Sequence, residues 1–166
     1  MVTLQKFNHY PMTKAVALLK PCLNIERWYS NIIEKRPYNH YSALESCAKQ
    51  VDNFSHKEIQ QALMQHPRIG DKASATHKKE ANFSTQEQGN LGHKDTDIMA
   101  QIYHGNLLYE ERFDQIFLIR AKGRSYQEIL TELERRLTNT IEQEQLEITE
   151  QLIQIALLRL TMEITP

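Results

Sequence analysis

Helix-breaking residues are scarce in this 166-residue chain: five glycines and five prolines. That shortage suits long helices and leaves few tight turns. Cysteine is limited to Cys22 and Cys47, 25 residues apart and outside any CxxC pair, so neither a disulfide framework nor a zinc site is supported. Neither sign of charge is in excess, with 20 Lys plus Arg against 21 Asp plus Glu and a formal net charge of -1. A dedicated nucleic-acid binder normally carries a basic surplus, so that class is disfavoured. No apolar run approaches bilayer-spanning length. The first residues lack a basic stretch followed by an apolar block, and Glu163-Ile164-Thr165-Pro166 is not a peroxisomal tripeptide. The expectation is a reduced, cytoplasmic protein with no nucleic-acid or membrane partner. The chain also has no HExxH, no GxSxG, no GxGxxG and no Walker loop; Lys122-Gly123-Arg124-Ser125 resembles the end of a P-loop but lacks the upstream glycine. Repeats, low-complexity tracts and linkers are missing too, so residues 1–166 read as a single domain.

Helical spacing fills most of what remains. It predicts helices over 13–20, 24–35, 42–52 and 55–65. The stretch 71–83 is polar and irregular. A helix is predicted to start at Ser84, pause at Gly89 and Gly92 and run on to about Phe113. Residues 115–121 are β-like but have no evident strand partner, and are expected to form an extended buried segment. Two more helices are predicted over 125–139 and 142–163. Ser-x-x-Glu occurs at Ser42/Glu45, Ser55/Glu58, Ser84/Glu87 and Ser125/Glu128, each matching the reciprocal capping box that opens a helix. The fold class is all-α, a compact bundle of about eight helices with one short extended segment.

Few residues stand out as candidates for chemistry. His66 precedes Pro67, and a residue before proline is pushed out of the α region. The ring therefore falls at the end of the 55–65 helix, where the dipole favours its protonated form; it either caps that helix or serves as a proton donor. Ser84, Glu87 and Gln88 share one first turn. Capping accounts for Ser84 and Glu87, but does not require Gln88, so the turn could also face a polar ligand. Arg159 sits on the apolar stripe Ile148, Leu152, Ile155 and Met162 of the last helix. It is either a structural pair, a snorkelling side chain or a clamp for a carboxylate or carbonyl. Trp28, Tyr103, Phe113 and Phe117 read as core, and Lys78-Lys79 and Arg135-Arg136 as solvated faces.

Taken in order, these stretches resemble the 2-oxo-4-hydroxy-4-carboxy-5-ureidoimidazoline (OHCU) decarboxylase family. The resemblance rests on Leu19-x-Pro21-Cys22, Trp28, Arg36-Pro37, His66-Pro67-Arg68-Ile69-Gly70, Ser84-x-x-Glu87-Gln88 and Asn106-x-x-Tyr109-x-x-x-Phe113. Phe117-x-Ile119-x-Ala121-x-Gly123-Arg124-Ser125 and Arg159-Leu160 complete it. One departure is visible: where family members often continue Phe113 as Phe-Gly-Phe-Pro, this chain has Asp114-Gln115-Ile116.

The resemblance implies a helical, cofactor-free enzyme without a metal, commonly a homodimer, that converts OHCU to (S)-allantoin at the end of urate degradation. It implies His66 as the catalytic proton donor, paired with Glu87, and Pro67 as a lining residue. It further implies substrate contacts from Ser84, Thr85, Gln86, Glu87 and Gln88, and from the backbone of Ile119, Arg120, Ala121, Lys122 and Gly123. Arg159 would bind a carbonyl or carboxylate. The alternative from the residues alone is a non-catalytic helical module that binds a small ligand or another protein.

Overall fold

Short polar side chains fix where the helices begin. In the computed structural model, which describes residues 1–70 and 96–166, Ser55 caps α5 (His56–Leu63), Ser125 caps α7 (Tyr126–Arg136) and Thr140 caps α8 (Ile141–Glu163). Each forms a complete capping box, with Glu58, Glu128 and Gln143 reaching back to the cap amide. The predicted box at Ser42 does not form. His40 caps α4 (Tyr41–Lys49) instead, with its Nδ1 accepting from Ala43 N at 3.2 Å. Ser84 lies outside the described residues. The other described helices are α1 (Leu4–Asn8), α2 (Met12–Leu19), α3 (Glu26–Glu34) and α6 (Thr96–Phe113). The architecture is mostly α, as the spacing predicts, with eight helices among the described residues.

Two features escape a periodicity argument. One is the five-residue α1, too short to show a stripe. The other is a two-stranded parallel pair, β1 (Val2–Thr3) with β2 (Ile164–Thr165), which sets Val2 beside Ile164.

The buried side chains form two clusters. The larger is built by α1 to α5 and α8 around Phe7, Leu19, Trp28, Ile32, Leu44, Phe54, Ile155 and Leu160. Burial of such side chains supplies the main driving force of folding. Trp28 satisfies its indole N–H on Ala48 O at 3.0 Å. The smaller cluster joins α6 and α7, which approach closely because Gly105 has no side chain: a Cβ there would lie 2.6 Å from Leu133 Cδ2.

The segment 116–121 runs between these clusters. It belongs to no helix or strand. Leu118, and Ile116 at its margin, face the larger cluster, while Phe117, Ile119 and Ala121 join the smaller one. Alternation with a period of two is the mark of extended chain, so the predicted extended buried segment is observed. The chain enters it through Asp114, at φ 53, whose N–H closes α6 on Glu110 O at 2.9 Å. That left-handed conformation suits glycine and is tolerated by Asp. It explains how this sequence makes the turn without the glycine that the family resemblance leads one to expect.

A charged group closes the junction. Arg136, predicted to be solvated, is instead 0% exposed. Its Nε donates to Glu144 Oε1 at 2.9 Å and its Nη1 to Leu118 O at 2.7 Å. Glu144, itself 1% exposed, also accepts from Tyr109 Oη and from Asn139 Nδ2. The guanidinium stacks over the Phe117 ring at 4.6 Å. Arg135 makes only exposed pairs with Glu132 and Glu147. Tyr103, predicted as core, is 61% exposed, because it lies at the flank of the buried face of α6, beside a small cavity it lines with Arg68 and Ile69.

Breaking the buried pair on one side leaves the other charge stranded. Arg136→Met is expected to lower unfolding free energy by about 3–5 kcal/mol, read as a fall in the urea midpoint. The double variant Arg136→Met/Glu144→Leu should recover much of that loss.

Candidate active site

The stretch His66 to Gly70 leaves α5 through a turn in which His66 N–H donates to Leu63 O at 2.9 Å. The imidazole folds back on the same helix end, with Nδ1 lying 3.0 Å from Ala62 O. A carbonyl can only accept, so Nδ1 carries the proton and Nε2 keeps a lone pair. That lone pair has no solvent access and no hydrogen-bond partner among the described residues. An unpaired buried acceptor is costly in a fold and is common at sites that handle protons.

The protonation state departs from the sequence expectation. Burial, with the positive charge of Arg159 adding to it, drives the His66 pKa from 6.5 down to about 3; the Ala62 carbonyl opposes the shift but does not prevail. The free ring is therefore neutral at pH 7. Capping of α5 is real, yet the dipole there is too weak to offset desolvation.

Arg159 occupies its predicted place on α8 with Ile148, Leu152 and Ile155, and is 1% exposed. Its Nη1 donates to Pro21 O at 3.2 Å, in the turn that follows α2. The structure thus brings Arg159 within electrostatic reach of His66, although the two lie 93 positions apart in sequence.

Next to the histidine, α6 anchors the loop. Asn106 donates through Nδ2 to Ile69 O at 3.4 Å, and Glu110 pairs with Arg68. Gly70, at φ 90, takes a conformation that side chains resist. A cavity of about 70 Å³ adjoins it, lined in part by Ile69, Gly70, Met99 and Asn106. Pro67 is half-buried in this loop.

The segment predicted to touch a ligand through its backbone is held from one side. Arg136 binds Leu118 O, and Arg120 N–H donates to Gln151 Oε1 on α8 at 2.9 Å. Ile119 and Ala121 are buried, while Lys122 and Gly123 are exposed in the turn, Gly123 at φ 84. Ser84, Thr85, Gln86, Glu87 and Gln88 lie outside the described residues, as does the 71–83 stretch.

Gln151, Arg136 and Glu144 carry structural duties near the site that sequence reasoning missed. The signal for them is faint. All three belong to helices rich in Glu, Gln and Arg, where nothing in the spacing distinguishes the buried polar groups from the solvated ones.

The family model described as OHCU decarboxylase matches residues 8–161. A uric acid degradation bifunctional protein from Bacillus sp. (strain TB-90) is 26% identical over 164 residues, covering 96% of this chain and 32% of that protein. The chain thus spans about a third of that relative's length. The fold is similar to a crystal structure of OHCU decarboxylase in the presence of (S)-allantoin, with a TM-score of 0.65 and 20% identity over 86% of this chain and 94% of that one. It is also similar to a crystal structure of (S)-allantoin synthase, with a TM-score of 0.71 and 17% identity over 98% of this chain and 54% of that one.

The depressed histidine makes a pH prediction. The unfolded chain protonates this ring near pH 6.5 and the folded chain only near about 3. Its contribution to stability is therefore complete above pH 6.5 and is lost as pH falls toward 3. Urea unfolding should show wild type losing more stability across that window than His66→Asn. The His66 ring signals in NMR should not titrate between about pH 5 and 8.

Proposed function

The chain belongs to the OHCU decarboxylase family, and on that premise we propose that it decarboxylates OHCU to (S)-allantoin, a carboxy-lyase step of urate degradation. The observation that carries this reading is the buried Nε2 of His66, without a hydrogen-bond partner among the described residues and within reach of the Arg159 charge. A neutral base beside a buried cation is suited to a small anion that must exchange protons.

The chemistry needs little else. The substrate carboxylate lies β to an imine carbon, so the ring itself accepts the electrons when carbon dioxide leaves. The carbon–carboxylate bond breaks, its electron pair becomes a ring double bond, and the imine nitrogen takes a proton from solvent. What remains is an enol, which must lose its hydroxyl proton and gain one on the neighbouring, ureido-bearing carbon. His66 begins neutral, with Nε2 as acceptor, so it takes the hydroxyl proton first and returns a proton to one face of that carbon. A single fixed donor gives a single enantiomer. The electron sink belongs to the substrate, so the reading includes no cofactor and no metal.

The remaining roles belong to the same proposal. Arg159 binds the carboxylate or a carbonyl and steadies developing charge. Glu87 orients the His66 ring or stabilises it while protonated. Pro67 lines the site. Ser84, Thr85, Gln86 and Gln88, with the backbone of Ile119, Arg120, Ala121, Lys122 and Gly123, hold the ureido and ring amides. The working form is a cytoplasmic homodimer. No described helix is long and apolar enough to cross a membrane.

His66→Asn should fold and lose turnover by about 100- to 10,000-fold, followed as the circular dichroism of allantoin made from fresh OHCU. Near-native turnover would sink the mechanism. Glu87→Gln should also lose rate; intact rate with lowered stability would reduce Glu87 to a helix cap. Tight binding of OHCU without turnover by wild type would favour the ligand-binding module instead.

A further inference from the structure

The extended segment 116–121 has no strand partner among the described residues, yet it is held at two backbone groups. Leu118 O accepts from Arg136 Nη1 at 2.7 Å and Arg120 N–H donates to Gln151 Oε1 at 2.9 Å. In extended chain, residues two apart direct their backbone groups to the same edge, and the residue between them directs its own to the opposite edge. The alternation of 116–121 between the two hydrophobic clusters supports that conformation. Arg136 and Gln151 therefore grip one edge. The N–H and C=O of Ile119 face the other, and neither makes a hydrogen bond among the described residues.

We propose that Gln151 is a positioning residue: by holding Arg120 N–H it presents the free edge at Ile119 to the amides of the substrate ring. This rests on the reading that the 119–123 backbone contacts OHCU, and names the side chain that sets its position. The anchor is well placed for that task. Gln151 is buried on α8, the helix that also carries Arg159, so the clamp and the pinned edge share one rigid element. Its amide must point oxygen-first at the segment, because Arg120 N–H can only donate.

Gln145 supplies a matched control on the same helix, since its Nε2 donates to Phe54 O at 2.8 Å and not to the backbone of the segment. The experiment measures kcat and KM for OHCU, melting temperature, and exchange of the Arg120 amide in wild type, Gln151→Met, Gln151→Asn, Gln151→Glu and Gln145→Met. Gln151→Met, which keeps the volume and removes the acceptor, should raise KM about tenfold with kcat changed less than about threefold. Arg120 exchange should quicken in the same protein. Gln151→Asn, which withdraws the oxygen by one methylene, should show the same KM defect. Gln151→Glu keeps an acceptor at full reach and should bring KM back to within about threefold of wild type. Gln145→Met should melt earlier but keep the wild-type KM.

A Gln151→Met protein with wild-type KM and faster Arg120 exchange overturns the role, as does failure of both Gln151→Met and Gln151→Asn to fold. Wild-type protein inert toward OHCU brings down the assigned activity and this role together. Wild-type turnover with an indifferent Gln151 brings down this role alone.

Discussion

The buried pair of Arg136 and Glu144 is the constraint on which the rest of the site depends. One guanidinium reaches three elements at once: Glu144 on α8, Leu118 in the extended segment and, through the shared carboxylate, Tyr109 on α6. Two charges taken out of water are expensive, and are tolerated only where further hydrogen bonds satisfy them. Here the carboxylate receives Tyr109 and Asn139 as well as the arginine, and burial together with the facing Glu144 raises the Tyr109 pKa, keeping it a donor. An apolar junction of the same size could slide. This one fixes the register of a segment that pairs with no strand among the described residues.

α8 turns that local order into a site. Glu144, Gln151 and Arg159 are all buried along its 23 residues, and each does different work: a counter-charge, a backbone anchor and a cation beside the histidine. A helix of this length is stiff, so the three act from fixed separations. The histidine comes from the other side, on the turn after α5, steadied by Ala62 and by the loop that Asn106 and Glu110 hold from α6. Cation and imidazole are thus brought together by packing of the whole larger cluster and not by local sequence.

Much of this was legible in the sequence, and the limits have physical causes. Helices of eight residues or more declared themselves through apolar spacing, and Ser55 and Ser125 marked their starts because a capping box is a local motif. Ser42 misled because His40 offered the α4 amides an acceptor two residues earlier. The buried extended run at 115–121 was readable from its β-branched and aromatic content, and Arg159 from its place on an apolar stripe. Arg136 was not readable: a polar residue in a polar run shows its burial only once a distant glutamate and a carbonyl are in place. The neutral state of His66 was hidden for the same reason, since sequence places the ring at a helix end but does not show how deeply the end is covered.

The parallel contact of Val2–Thr3 with Ile164–Thr165 makes the backbone nearly annular, with its first and last elements leaving at one spot on the surface. A unit of that shape can be grafted into a longer polypeptide through a single junction while its interior stays undisturbed. Conversely, tension applied across the two ends would load first a pair of short strands, one of which seats Ile164 in the larger cluster.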